Sequence, residues 1–192
     1  MAKLRLRRGF HKEAEEYAQE FRQELQLGDS DPLDPYALAA HLEIPIRKLL
    51  SDPAFSNELR AYFAGKGRDL FSAATVFDGS RAEIILNDNH HANRLHSSLM
   101  DEIAHILLGH PPRPPITDGG CRHFDRILEK EANDLGWTIL VPKRAALRAI
   151  ENFTARADAC AFFKVSHELL EYRIRKCDSV RHAQNRAKRT QA

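Results

Sequence analysis

LMDEIAHILLGH, residues 99–110, is an apolar run of helical period that carries Asp101, Glu102 and His105 on one stripe. Residues four apart project from the same face of a helix, so Asp101 and His105 point the same way and Glu102 sits one residue round. The pattern is that of a zinc-hydrolase motif with one ligand changed. In H-E-x-x-H, two imidazoles one turn apart hold the metal and the intervening glutamate activates a water. Here the first imidazole position is Asp101.

The rest of this helix sharpens the point. Leu95, Leu99, Met100, Ile103, Ala104, Ile106, Leu107 and Leu108 cover most of its circumference, which predicts a largely buried helix. Polar residues remain on one strip at positions 94, 98, 101, 102 and 105. A carboxylate or imidazole buried without a partner costs several kcal/mol, so such a strip demands a counter-charge or a metal. A second helix beyond it carries Glu129, Ala132, Asn133 and Gly136 at i, i+3, i+4 and i+7. The small residues of that stripe let the two helices approach closely and bring Glu129 to the site. Asn133, one turn on, is placed to support His105, whereas Glu131 points elsewhere and is the weaker ligand candidate.

Strands and helices can be placed around these two. Residues 72–77 (SAATVF) and 82–87 (AEIILN) are strand-like runs joined at Asp78-Gly79, a strong hairpin signal. Residues 82–87 lead directly into the motif helix and are the candidate edge strand for an extended substrate. A first amphipathic helix is expected from Gly9 to Leu27, ended by Gly28, and a second starts at Asp34-Pro35. Glu43–Leu49 reads as a short strand and Ala54–Ala64 as a helix. The motif helix starts near His91 to Arg94 and ends at Gly109, before a Pro- and Gly-rich loop to Gly120. Further helices are expected over 124–140, 143–152, 155–163 and 167–176, the last capped by Ser166.

Composition sets the frame. The 192 residues are 43% hydrophobic and 29% charged, the profile of one globular domain. No apolar run approaches the roughly 20 residues that cross a bilayer, and the first residues show no apolar signal region, so a cytosolic location is expected. Cys121, Cys160 and Cys177 are odd in number and widely spaced, which fits reduced thiols. Net charge is only +2, but basic residues gather at both ends: Lys3, Arg5, Arg7 and Arg8, then Arg173, Arg175, Lys176, Arg181, Arg186, Lys188 and Arg189. With no aromatic residues interleaved after Tyr172, a solvated helix and tail is favoured over nucleic-acid binding.

Several blocks together resemble the ImmA/IrrE-type metallo-endopeptidases: residues 8–28, 31–46, 71–88, 98–112, 120–122, 128–147 and 164–176, among them SLMDEIAHILLGHPP and LEKEANDLGWTILVPKRAAL. The resemblance implies a mainly helical α+β domain of zincin-like type with a small antiparallel sheet of about three strands. It would occupy residues 1–176, followed by a basic C-terminal tail at 177–192. It further implies His105 and Glu129 as metal ligands and Glu102 as catalytic base, with Asp101 in the place of the family's other histidine. Members cleave or inactivate helix-turn-helix repressors, so the implied substrate is a DNA-binding repressor protein.

Asp101 changes the electrostatics of that ligand set. A carboxylate oxygen binds zinc at about 2.0–2.2 Å, so an Asp, His, Glu set still suits Zn2+. Two ligand charges in place of one neutralise a divalent ion, which acidifies a water less and polarises a carbonyl less. The harder donors raise the relative standing of Mn2+ and Fe2+. The rival reading is a zincin-fold regulatory module that binds a partner protein without catalysis. The other histidines, His90, His91, His96, His110 and His123, read as solvated or supporting groups, and Arg94 as a partner for Asp101 or an ordinary ion pair.

Overall fold

The computed structural model describes residues 6–79, 81–111 and 125–178. The basic tail beyond Asp178, most of the Pro/Gly-rich loop, Cys121, His123 and the first five residues lie outside them. Among the described residues the order is α1 (Phe10–Glu24), α2 (Pro35–His41), β1 (Ile46–Lys48), α3 (Asn57–Ala64), β2 (Ala73–Asp78), β3 (Arg81–Leu86), α4 (Ala92–Leu107), α5 (Arg126–Leu140), α6 (Lys143–Glu151), α7 (Arg156–Phe163) and α8 (His167–Lys176). This is the mainly helical α+β architecture expected. No helix among these residues is long and apolar enough to cross a membrane.

Helix starts follow the side chains that satisfy their first amides. Asp34 accepts from Tyr36 N at 2.9 Å, Ser56 from Leu59 N at 3.2 Å, Asp125 from Ile127 N at 2.9 Å and Ser166 from Leu169 N at 3.1 Å. Helix ends were harder to read. Helix α1 stops at Glu24, and Gln26, not Gly28, takes the left-handed conformation at φ 56°. Glu43 does the same after α2 at φ 55°, with its own amide bonded to Ala40 O and that of Ile44 to Ala39 O. Residues 43–44 therefore close a helix, and the expected strand over 43–49 shrinks to Ile46–Lys48. Helix α3 starts at Asn57 rather than Ala54 because Ser56 caps it.

The sheet has the order β1-β3-β2 and is mixed, not antiparallel. Strands β2 and β3 form the expected hairpin, Ala73 opposite Leu86 and Asp78 opposite Arg81. Strand β1 pairs parallel to β3, Ile46 opposite Ile84: Lys48 and Ala73 both lie level with Leu86, so the segment through α3 re-enters the sheet at the end where β1 leaves it, and β2 returns the chain before β3 runs alongside β1. Strand β3, residues 81–86, is the middle strand with both backbone edges paired, so it cannot receive a further chain, and β2 is the edge beside the motif helix.

Helix α4 packs against both that sheet and α5, with α2 also against it, and α1 packs on α5. Its buried side chains are His96, Leu99, Met100, Ile103 and Ala104, in one core with Leu38, Ile84, Leu86, Leu135 and Ile139. Burial is less complete than the sequence implied: Leu95, Ile106, Leu107 and Leu108 are only half-buried. Gly136 is the close-approach point of α4 and α5. A Cβ there would lie 3.1 Å from Met100 O and 3.2 Å from Met100 Cγ, tighter than ordinary contact.

Candidate metal centre

Helix periodicity and the α4/α5 approach together build a convergent donor set. One ligand atom each from Asp101, His105 and Glu129 lies within 4.8 Å of the others. His105 Nε2 and Glu129 Oε2 are 3.8 Å apart, at side-chain exposures of 18% and 23%, so the cleft is shielded but open to solvent. Asp101 Oδ1 is buried with no hydrogen-bond partner among the described residues. Buried carboxylate oxygens are normally satisfied, and one that is not, facing an imidazole and a second carboxylate, fits a divalent cation.

The electrostatics agree with the geometry. Burial pushes the Asp101 carboxyl up to about 7, with His105 opposing the rise and the charges of Glu102 and Glu129 adding to it. Burial alone pulls the His105 imidazole down, but the facing Glu129 carboxylate and the fields of Asp101 and Glu102 outweigh it, leaving its pKa raised. Three negative side chains crowd one imidazole, an excess of negative charge that a divalent cation neutralises.

Glu102 projects toward the sheet rather than into the triad. Its Oε2 accepts from Thr75 N at 3.0 Å and Thr75 Oγ1 at 2.6 Å. Thr75 is on β2, so this edge amide points at the motif helix. A sequence-only reading missed this, since nothing local in residues 73–78 marks which strand is the edge.

Asn133 Nδ2 donates to Glu129 O at 2.9 Å, stabilising its own helix, and does not hold His105. Arg94 donates to Ser72 Oγ at 2.8 Å and pairs with Asp69 at 3.8 Å, so it does not steady Asp101. His96 is buried against the Tyr36 ring, and His90 Nε2 lies 3.3 Å from Phe71 O, both away from the donor set. Glu131 stays outside the triad as expected. His110, by contrast, stands directly against His105.

The family model for the IrrE N-terminal-like domain, Peptidase_M78, matches residues 60–175, more than half of the chain. The protein belongs to the IrrE N-terminal-like peptidase family. The match runs from α3 through α8 and so includes all four residues of the candidate site, while α1, α2 and β1 precede it. Membership makes this a domain of metallopeptidase type, and the Asp101, His105 and Glu129 cluster is where an M78-type metal would fit. No curated protein and no solved structure gives a significant match.

Proposed function

We propose that this M78-type domain is a metal-dependent endopeptidase, cytosolic, acting on a protein substrate of the helix-turn-helix repressor kind. Asp101, His105 and Glu129 hold a divalent cation, Zn2+ first with Mn2+ or Fe2+ as alternatives, and Glu102 is the general base. The single observation that carries the reading is the unpartnered, buried Asp101 Oδ1 aimed into a cluster with an imidazole and a second carboxylate. The repressor substrate is supported only by the family resemblance.

When bound, the cation supplies Lewis-acid polarisation of the scissile carbonyl and lowers the pKa of a water. The chain's own groups do the rest. Thr75 holds Glu102 Oε2 through its N–H and Oγ1, which fixes the carboxylate's orientation. Glu102 Oε1 is the atom that takes a proton from the attacking water and returns it to the leaving amine. The outer edge of β2 is the surface along which an extended substrate lies, with main-chain hydrogen bonds holding it. Val76 and Phe77, exposed on that strand at 38% and 41%, offer apolar contacts to its side chains.

A second reading is favoured by Asp101 in the first ligand position and by Glu102 Oε2 being engaged with Thr75: a partner-binding module on the same fold. Metal analysis and a Glu102→Gln variant separate the two. The peptidase reading expects about one equivalent of divalent metal, lost in His105→Ala and Glu129→Ala. Glu102→Gln keeps the metal but loses roughly 10²–10⁴ in the rate of peptide hydrolysis. Hydrolysis at the wild-type rate by Glu102→Gln would remove it as base, and wild-type protein that takes up no divalent cation would leave the module.

A further inference from the structure

The end of α4 is built so that one histidine folds back over another. Gly109 adopts φ 62°, its N–H donates to Ile106 O at 3.0 Å, and the N–H of His110 donates to His105 O at 3.0 Å. These two bonds are the Schellman closure, in which the residue after the left-handed position packs back over the residue whose carbonyl it takes. Usually that contact is apolar. Here it joins His110 to His105, with ring centroids 4.9 Å apart at 70° and Nδ1 to Nδ1 at 2.8 Å. The second nitrogen of His110, Nε2, lies 3.6 Å from Glu131 Oε2, and both side chains are well buried, at 6% and 15% exposure. The second nitrogen of His105, Nε2, is the one on the Glu129 side.

Proton accounting along this row has one solution when His105 Nε2 binds a cation. That nitrogen must be bare, so its ring proton sits on Nδ1 and is donated to His110 Nδ1. His110 then carries its own proton on Nε2, the nitrogen that faces the Glu131 carboxylate. We propose that Glu131 and His110 form a relay, the Glu131 carboxylate facing His110 Nε2 as an electrostatic partner and His110 Nδ1 accepting from His105, that holds His105 in the tautomer and orientation needed to ligate metal. Both are positioning residues acting through His105. The relay rests on the reading of Asp101, His105 and Glu129 as cation ligands, and it extends that reading to two residues outside the donor set. A histidine that ligates a metal is commonly oriented by such an outer partner, at about 10- to 100-fold in affinity.

The test is Zn2+ affinity of the full-length chain by competition with a chromophoric chelator, alongside thermal unfolding in chelator. His110→Leu suits the usually apolar position, so its metal-free stability should equal or exceed that of wild type while Zn2+ affinity falls about 10- to 100-fold. His110→Asn, whose amide oxygen can accept from His105 Nδ1, should recover most of that loss. Glu131→Gln should weaken binding, and adding it to His110→Leu should cost nothing more, the non-additivity of two links in one chain. Unchanged affinity in His110→Leu while His105→Ala abolishes binding would overturn the relay and leave the ligand set standing. Losses that add fully in the double variant would also overturn it. Wild-type protein with no Zn2+ affinity would overturn both.

Discussion

Asp101→Asn in the metal-free protein tests the electrostatics of the cleft most directly. Folding raises the Asp101 pKa from 3.8 to about 7, chiefly by burial. A carboxyl whose folded pKa is raised contributes stability that is fully present below 3.8 and is lost as pH rises through about 7. At about 1.36 kcal/mol per pH unit, ionising it at pH 8 costs the fold about 4 kcal/mol, against roughly 1.5 kcal/mol at pH 5. An amide carries no such dependence, and its desolvation is the same at both pH values. Between pH 5 and pH 8 the wild type should therefore lose about 3 kcal/mol more than Asp101→Asn. His105 works in the same direction, since its raised pKa is partly due to Asp101 and relaxes in the variant. For a chain of this size that difference corresponds to about 6–12 °C in Tm. Urea denaturation in chelator at several pH values measures it. With excess Zn2+ the wild type should gain stability that the variant does not, because it gains binding free energy that the variant lacks. Parallel stability curves for the two proteins in chelator would refute the reasoning, for they would mean that Asp101 ionises as freely folded as unfolded.

Two further substitutions test how the site is held. Gly109→Ala places a Cβ that meets nothing within 4 Å among the described residues, so its cost comes from φ 62° and should be about 1–2 kcal/mol in denaturant melts. The same change should also weaken Zn2+ binding by disturbing His110, and a variant as stable as wild type would contradict the left-handed closure. Gly136→Val forces bulk into a gap where even a Cβ lies 3.1 Å from Met100 O, and should cost about 1–3 kcal/mol in unfolding. By parting α4 from α5 it should lower Zn2+ affinity through Glu129, and valine tolerated with affinity intact would show that this contact does not set the Glu129 to His105 distance.

Much of this was legible before folding. The four-residue interval between Asp101 and His105 sets their common direction whatever the helix packs against, and the Asp78-Gly79 turn dictates an antiparallel hairpin between its flanking strands. Caps at Asp34 and Ser166 are equally local, being a side-chain oxygen within reach of amides two or three residues on. The stripe of small residues around Gly136 announced that two helices meet closely there. Such features depend on bond geometry over a few residues, and a sequence states them directly.

Distances between elements are another matter. That β1 joins β3 in parallel, making β2 the edge, depends on the segment through α3 passing from one edge of the sheet to the other, and no local pattern encodes that. Thr75 finds Glu102, and Glu131 finds His110, only because packing of apolar faces brings separate elements together. The Gly109-His110 pair was the one signal that could have located the histidine contact, since a left-handed glycine after a helix turns the next side chain back. Chain-local geometry thus chose the directions in which the donors point, while burial of the common core of α4, α5 and the sheet chose how near they come.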